Sequence, residues 1–286
     1  MLGRNQLSLL EPRSATAGRS RTTPRGGAVA ATSAIEWTDA TWNPWMGCER
    51  VSPGCAHCYM YREQRQYGHD PEALRRSKTK FFEPLRWREP KLVFTCSWSD
   101  WFHPGADAWR DEAWNVVRQT PDLTYQILTK RPELICERLP DDWGEGWTNV
   151  WLGVSIENSR FTWRADVLRG VPAEVRFISA EPLLGSLFES SGRRSPLDLD
   201  EIDWLIVGGE SGPGARALDV SWALELAVAC DQASVAFFMK QLGSVLGRAR
   251  DTRDRKGGDF DAFPAQLKRR EMPPAAVDRS LFALAR

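Results

Sequence analysis

Six short apolar, β-rich runs recur along the chain, at residues 92–96, 124–128, 150–155, 175–179, 204–207 and 235–239. Their starts lie 32, 26, 25, 29 and 31 residues apart. Between them lie amphipathic stretches. Residues 107–118 bring Trp109, Ala113 or Trp114, and Val116 or Val117 to one side at helical spacing, and residues 159–168 and 221–229 behave alike. Continuous apolar runs of strand length alternating with helices predict parallel strands, covered on both faces and joined by right-handed crossovers. A shorter β-type run at 35–38 supplies a first strand, which makes about seven units. A loop then runs from Asp39 to Cys58, marked by Asn43-Pro44, Gly47 and Pro53-Gly54, and a helix over 58–68 is stopped by Gly68. No Gly-rich turn opens the first unit, so a complete or partial (β/α) barrel fits better than an open doubly wound sheet.

A barrel carries its site at the C-terminal ends of its strands. Here those ends are polar: Ser97 to Asp100 after the second run, Lys130 and Arg131 after the third, and Ser155 to Asn158 with Glu157 after the fourth. Glu181, Glu210 with Ser211, and Lys240 follow the fifth, sixth and seventh. Asn158 and Ser211 also suit helix caps. A charged rim over an apolar barrel is what a site for a polar small molecule requires.

The 286 residues are 42% hydrophobic and 27% charged, suited to one α/β barrel with appendages. No apolar run approaches the roughly 18 residues of a membrane helix, so no membrane association is expected. Thirty-eight basic and 38 acidic residues exclude a sequence-blind polycation. The neutrality hides an asymmetry: residues 1–33 hold five Arg against one Glu and no aromatic. They read as a disordered basic extension, similar to an organellar transit peptide or else a passive tail. Residues 34–245 form the barrel with its three-Cys loop, and 246–286 a polar C-terminal tail in which 268–270 is a basic triplet. Fourteen tryptophans suggest wide, aromatic-lined surfaces.

Six cysteines are too few for a secreted disulfide scaffold, which points to the cytoplasm. Three crowd into one loop as Cys48-x6-Cys55-x2-Cys58, a ligand set; Cys96, Cys136 and Cys230 are scattered and read as buried small hydrophobes. A structural zinc needs a fourth ligand, for which His57 and His69 are the neighbours, and the second CxxC of a zinc ribbon is absent. Three cysteines without a fourth suit a [4Fe–4S] cluster with one open iron.

A three-cysteine loop after the first strand of a partial barrel resembles the radical S-adenosylmethionine (SAM) superfamily. More closely, the chain resembles an uncharacterised family of phage and bacterial three-Cys-motif proteins. The resemblance rests on residues 35–44, 47–59, 128–132, 153–158, 179–185 and 208–212. It implies a radical-SAM-type barrel in which Cys48, Cys55 and Cys58 hold the cluster and His57 lies at the adenine of SAM. Asp100, Glu157, Glu181 and Glu210 are candidates for the amino group and ribose hydroxyls of SAM. The cofactor set is taken as His57, Ser97, Asp100, Ser155 and Glu157, and the catalytic candidates as Lys130, Glu181, Glu210 and Lys240. An electron donor such as flavodoxin or ferredoxin is implied. Two departures stand out. The first cysteine gap is six residues where the superfamily has three. The Gly-Gly-Glu block follows the sixth run instead of the second, so its role is not carried onto Glu210. The alternatives are a zinc-stabilised barrel acting as a hydrolase through Glu181 and Glu210 or in phage–host interaction, and a nucleic-acid-processing protein suggested by exposed Trp and Arg.

Overall fold

The computed structural model describes residues 33–189 and 195–276. The extension at 1–32, and with it the reading of a disordered basic segment, lies outside the described residues.

Seven parallel strands form one sheet in sequence order. They are β1 (Ala40–Trp42), β4 (Lys91–Thr95), β5 (Leu123–Thr129), β6 (Val150–Ser155), β7 (Val175–Ala180), β8 (Trp204–Gly208) and β9 (Ala236–Gln241). A separate antiparallel pair, β2 (Trp45–Met46) and β3 (Arg75–Arg76), matches Trp45 with Arg76 and Met46 with Arg75. The sheet curls into a half-barrel accompanied by helices. These are α1 (Tyr59–Gln66), α2 (Asp107–Arg118), α3 (Trp163–Arg169), α4 (Val220–Ala233) and α5 (Ser244–Ala249).

The runs expected as strands are strands, because both faces of each are buried and only continuous apolar sequence tolerates that. Val93, Ile127, Leu152, Ile178 and Leu205 pack outward on Ala113, Val117, Leu168 and Leu226. Phe94, Trp151, Phe177, Trp204 and Phe238 point into the concave side, with Trp37 packed among them. The expectation for the first strand is corrected. Residues 35–38 bend and turn, with Trp37 3% exposed beneath the concave face, and pairing begins at Ala40 opposite Val93. The crossover between β5 and β6 also departs from a helix. It runs through two short 3-10 turns, Pro132–Leu134 and Cys136–Arg138.

The tryptophans are interior, not surface. Nine of the fourteen are buried and none is exposed, which removes the exposed-Trp argument for a nucleic-acid function. Trp42, Trp45 and Trp114 each meet Trp101, at ring distances of 5.7, 5.1 and 4.9 Å, joining β1 and β2 to α2. Indole is large enough to bridge the gap between a curled sheet and its helices while its edge meets a neighbouring ring. Cys136 is also corrected: it is exposed, whereas Cys96 and Cys230 are buried.

Residues beyond 245 do not trail away as a polar tail. Phe263 and Leu267 are buried, and residues 269–271 run antiparallel along the open edge of β9. Met239 N–H donates to Arg269 O at 2.9 Å, Glu271 N–H to Phe237 O at 3.0 Å, and the Trp204 indole to Glu271 O at 2.9 Å. Within the basic triplet, Arg269 pairs with Asp231 and Glu271 at 2.7 Å, and Arg270 lies over the Phe238 and Phe260 rings. Two of its three cations are therefore occupied within the fold. Leu267→Ala should lower unfolding free energy by about 2–4 kcal/mol, as for other fully buried leucines. An unchanged melting temperature would show that the segment is not docked.

Candidate functional site

The cysteine loop is an excursion between β2 and α1, and the β2–β3 ladder closes its base. Gly47 opens it at φ 102°, with the space for a Cβ taken by the Ala73 carbonyl oxygen at 2.5 Å, so only glycine fits. Gly47 N–H donates to Trp98 O, Cys48 N–H to Pro71 O, and the Tyr61 hydroxyl to Cys48 O at 2.6 Å. A 3-10 turn, Pro53–Cys55, follows, and Cys58 leads directly into α1. Cys55 is buried, Cys48 and Cys58 are half-buried, and all three thiols are free.

Side chains from three strand ends hold this loop across the open end of the half-barrel. Glu157, just past β6 and fully buried, accepts from the Ser52 hydroxyl, pairs with Arg164 at 3.1 Å and with Lys130 at 3.3 Å. Gly54 is the complement of that contact, because a Cβ there would lie 2.5 Å from the Glu157 carboxylate. Glu210, past β8, meets His57 Nδ1 at 3.0 Å and takes two hydrogen bonds from the Arg216 guanidinium. Arg216 also donates to Pro53 O. Arg131, past β5, donates to Glu49 O at 3.4 Å and lies 3.9 Å from the Cys48 sulfur, while pairing with Asp100 at 3.3 Å. Burial pushes the Glu157 carboxyl up, but Lys130, Arg164 and Ser52 outweigh it and the net direction is down. Burial likewise works against ionised Glu210, yet hydrogen bonds from Arg216 and His57 bring it down to about 2.

Behind the loop opens a cavity of about 550 Å³. Its lining contains Cys48, Cys55, Cys58, His57, Ser97, Asp100, Lys130, Ser155, Glu181, Glu210 and Lys240, so the structure brings together nearly the whole expected set. Glu157 is the exception: it is sealed under the loop and does not line the cavity. Its expected place as a SAM ligand is corrected to that of a loop anchor. Asp100 faces the cavity but is committed. It accepts from Phe102 N–H, the Thr129 hydroxyl at 2.7 Å, Lys130 N–H and Arg131. Lys240 and Glu181 form a half-accessible pair at 3.1 Å, with Ser179 donating to Glu181. Ser52, Arg164 and Arg216 escaped the sequence reading, and Arg131 was placed on the rim without a role. Arg164 stands seven residues after Glu157 and Arg216 six after Glu210, a spacing that hints at local pairing, whereas nothing in the sequence marks Ser52.

Burial pushes the Cys48 thiol up to about 12, helped by the Asp100 charge and opposed by Arg131. Burial also raises Cys58, with Lys130 opposing. Thiols in this state are inert until an electrophile such as a metal displaces the proton. Among the described residues no three His, Cys, Asp or Glu side chains converge as ligands of a single ion. Sulfurs on one zinc at about 2.3 Å would stand roughly 3.8 Å apart. Arg131 and Lys130 beside the thiols supply the positive charge that an anionic cluster needs. Three thiol donors line one cavity, and a closed zinc site needs a fourth ligand.

Glu157→Gln should cost about 3–5 kcal/mol, because Arg164 and Lys130 would keep buried charge without a partner. Gly54→Ala should loosen the same contact. Limited proteolysis should then cut within residues 47–58 faster than in wild type, and equal cutting rates would show that Glu157 does not hold the loop.

No helix among the described residues is long and apolar enough to cross a membrane. No curated protein and no solved structure matches the chain. One family model does, over residues 32–266, which takes in the cysteine loop, all seven strands and every rim residue described above. The chain belongs to that family, described as protein of unknown function DUF5131.

Proposed function

We propose that the chain is an iron–sulfur protein of radical-SAM-like type, with Cys48, Cys55 and Cys58 holding a [4Fe–4S] cluster over the cavity. One observation carries this reading. Three free thiols of a single loop are fastened over the C-terminal mouth of a curled parallel sheet, beside two cations and in front of a cavity large enough for a second ligand. When bound, such a cluster supplies one electron for the reductive cleavage of SAM, and a flavodoxin- or ferredoxin-like donor would replenish it.

The chain's own residues then have separable tasks. Glu157, Glu210 and Arg216 fix the loop, so the thiols keep their places without help from the metal. Arg131, 3.9 Å from the Cys48 sulfur while paired with Asp100, is placed to donate to a thiolate there. His57, Ser97 and Ser155 offer cavity-facing groups to a polar cofactor, His57 with its ring set by Glu210 at 3.0 Å. Lys240 and Glu181 stand deeper along the same wall as a ready proton donor and acceptor for a substrate.

Protein purified without oxygen should be brown and contain about four iron and four sulfide per chain. Cys48→Ala, Cys55→Ala or Cys58→Ala should each abolish the colour, and Cys136→Ala should not, its thiol being exposed. Stoichiometric zinc without iron after anaerobic reconstitution would replace this reading with the zinc barrel. Calorimetry on the reconstituted protein should show SAM binding; its absence at millimolar SAM would reject the radical-SAM part while leaving the cluster standing.

A further inference from the structure

The cations around the cavity fall into two groups. Those inside are already neutralised: Lys130 by Glu157, Arg131 by Asp100, and Lys240 by Glu181. Arg62, on α1, and Lys256, in the C-terminal segment, also line the cavity and are exposed. Among the described residues neither side chain has an ion-pair or hydrogen-bond partner. Two cations from distant parts of the chain, without an ion-pair partner among the described residues, thus line one cavity and are available to an anionic group.

The same cavity carries aromatic rings. Trp98 lines the cavity, half-buried, and its ring stacks on that of Tyr67 at 6.4 Å and 29°. Tyr67 is 63% exposed, and Tyr59, also in the lining, is 39% exposed with its hydroxyl tied to Ser97 O at 2.7 Å. Tyr67 stands outside the lining, backing Trp98, so Trp98 and Tyr59 are the rings that the cavity offers here. Glu63, beside Arg62 in the lining, likewise has no ion-pair partner.

From these observations we propose that the cavity mouth binds a 5′-nucleotide unit, free or within a single strand, as the substrate of the site. The proposal deepens the reading above and rests on its placing the reaction in this cavity. A phosphate or sulfate alone would satisfy Arg62 and Lys256 but leave the Trp98–Tyr67 stack idle. An uncharged aromatic ligand would do the reverse. A nucleotide uses both, with its base on the rings, its phosphate at the cations, and its sugar hydroxyls donating to Glu63. The chain's formal net charge of zero supplies no overall attraction to a phosphate backbone, so recognition rests on the contacts to one unit.

The test is calorimetry on the full chain after anaerobic reconstitution. The probes are AMP, GMP, CMP, UMP and a short oligothymidylate, with the matching nucleosides alongside. At least one nucleotide or the oligomer should bind, and the nucleoside should bind about tenfold or more weakly. The double variant Arg62→Gln, Lys256→Gln should lose a similar factor. So should Trp98→Ala and the well-exposed Tyr67→Ala, which guards against misfolding of the first. Tighter binding of the oligomer assigns a strand as the source, and binding no tighter than that of a mononucleotide assigns the free form. Absence of binding at millimolar nucleotide, or nucleosides binding as well as nucleotides, would overturn the proposal. So would affinities untouched by the variants, or displacement of the nucleotide by SAM, which has no phosphate. Iron content and SAM binding measured on the same samples stand or fall independently, so a failure here is distinguishable from a failure of the cluster reading.

Discussion

The buried carboxylate of Glu157 is the contact on which the site depends. It stands at the end of β6, where a parallel sheet delivers every strand end to the same rim. From there it meets a hydroxyl of the cysteine loop, a lysine of the neighbouring strand and an arginine of the following helix. A fully buried charge is costly unless it is paired and hydrogen-bonded, and these partners supply both. The loop is thus located by electrostatics inside a dry environment. Its position is part of the fold and does not wait for a ligand to arrange it.

The remaining anchors share the logic. Glu210 and Arg216 approach from β8, Asp100 and Arg131 from β4 and β5, so the loop is held from three sides of the half-barrel. Each acid that holds the loop is lost as a ligand for anything in the cavity. What remains free there is a short inventory: three thiols, the Lys240–Glu181 pair, two serines, and the exposed cations and rings at the mouth. That division between groups spent on architecture and groups left for chemistry is what gives the cavity its character.

Most of the fold was legible in the sequence because the signal was simple. Apolar runs at near-constant intervals have few structural solutions, and residues 107–118 form α2 over that very span. The first strand was misplaced because Ile35 and Trp37 are as apolar as a strand but serve as packing beneath the sheet, a distinction that depends on tertiary context. The C-terminal segment was misread for the opposite reason. Its residues are polar on average, yet Phe263 and Leu267 find the core and the backbone finds an edge. The membership of the rim was readable from strand-end positions. The roles within it were not, since whether Glu157 faces a cavity or a loop serine is decided by a contact between residues 105 positions apart.

The strip of chain on β9 has a consequence for handling any shortened form of this protein. The family match stops at residue 266, just before the residues that cover that edge. A chain ended there would keep all seven strands, the cysteine loop and the cavity. It would also expose the N–H and C=O groups of Phe237 and Met239, between aromatic side chains, to any other strand in solution. Such an edge templates pairing between copies. The excised domain would thus tend toward sheet-to-sheet assembly even with its cysteine loop and cavity intact.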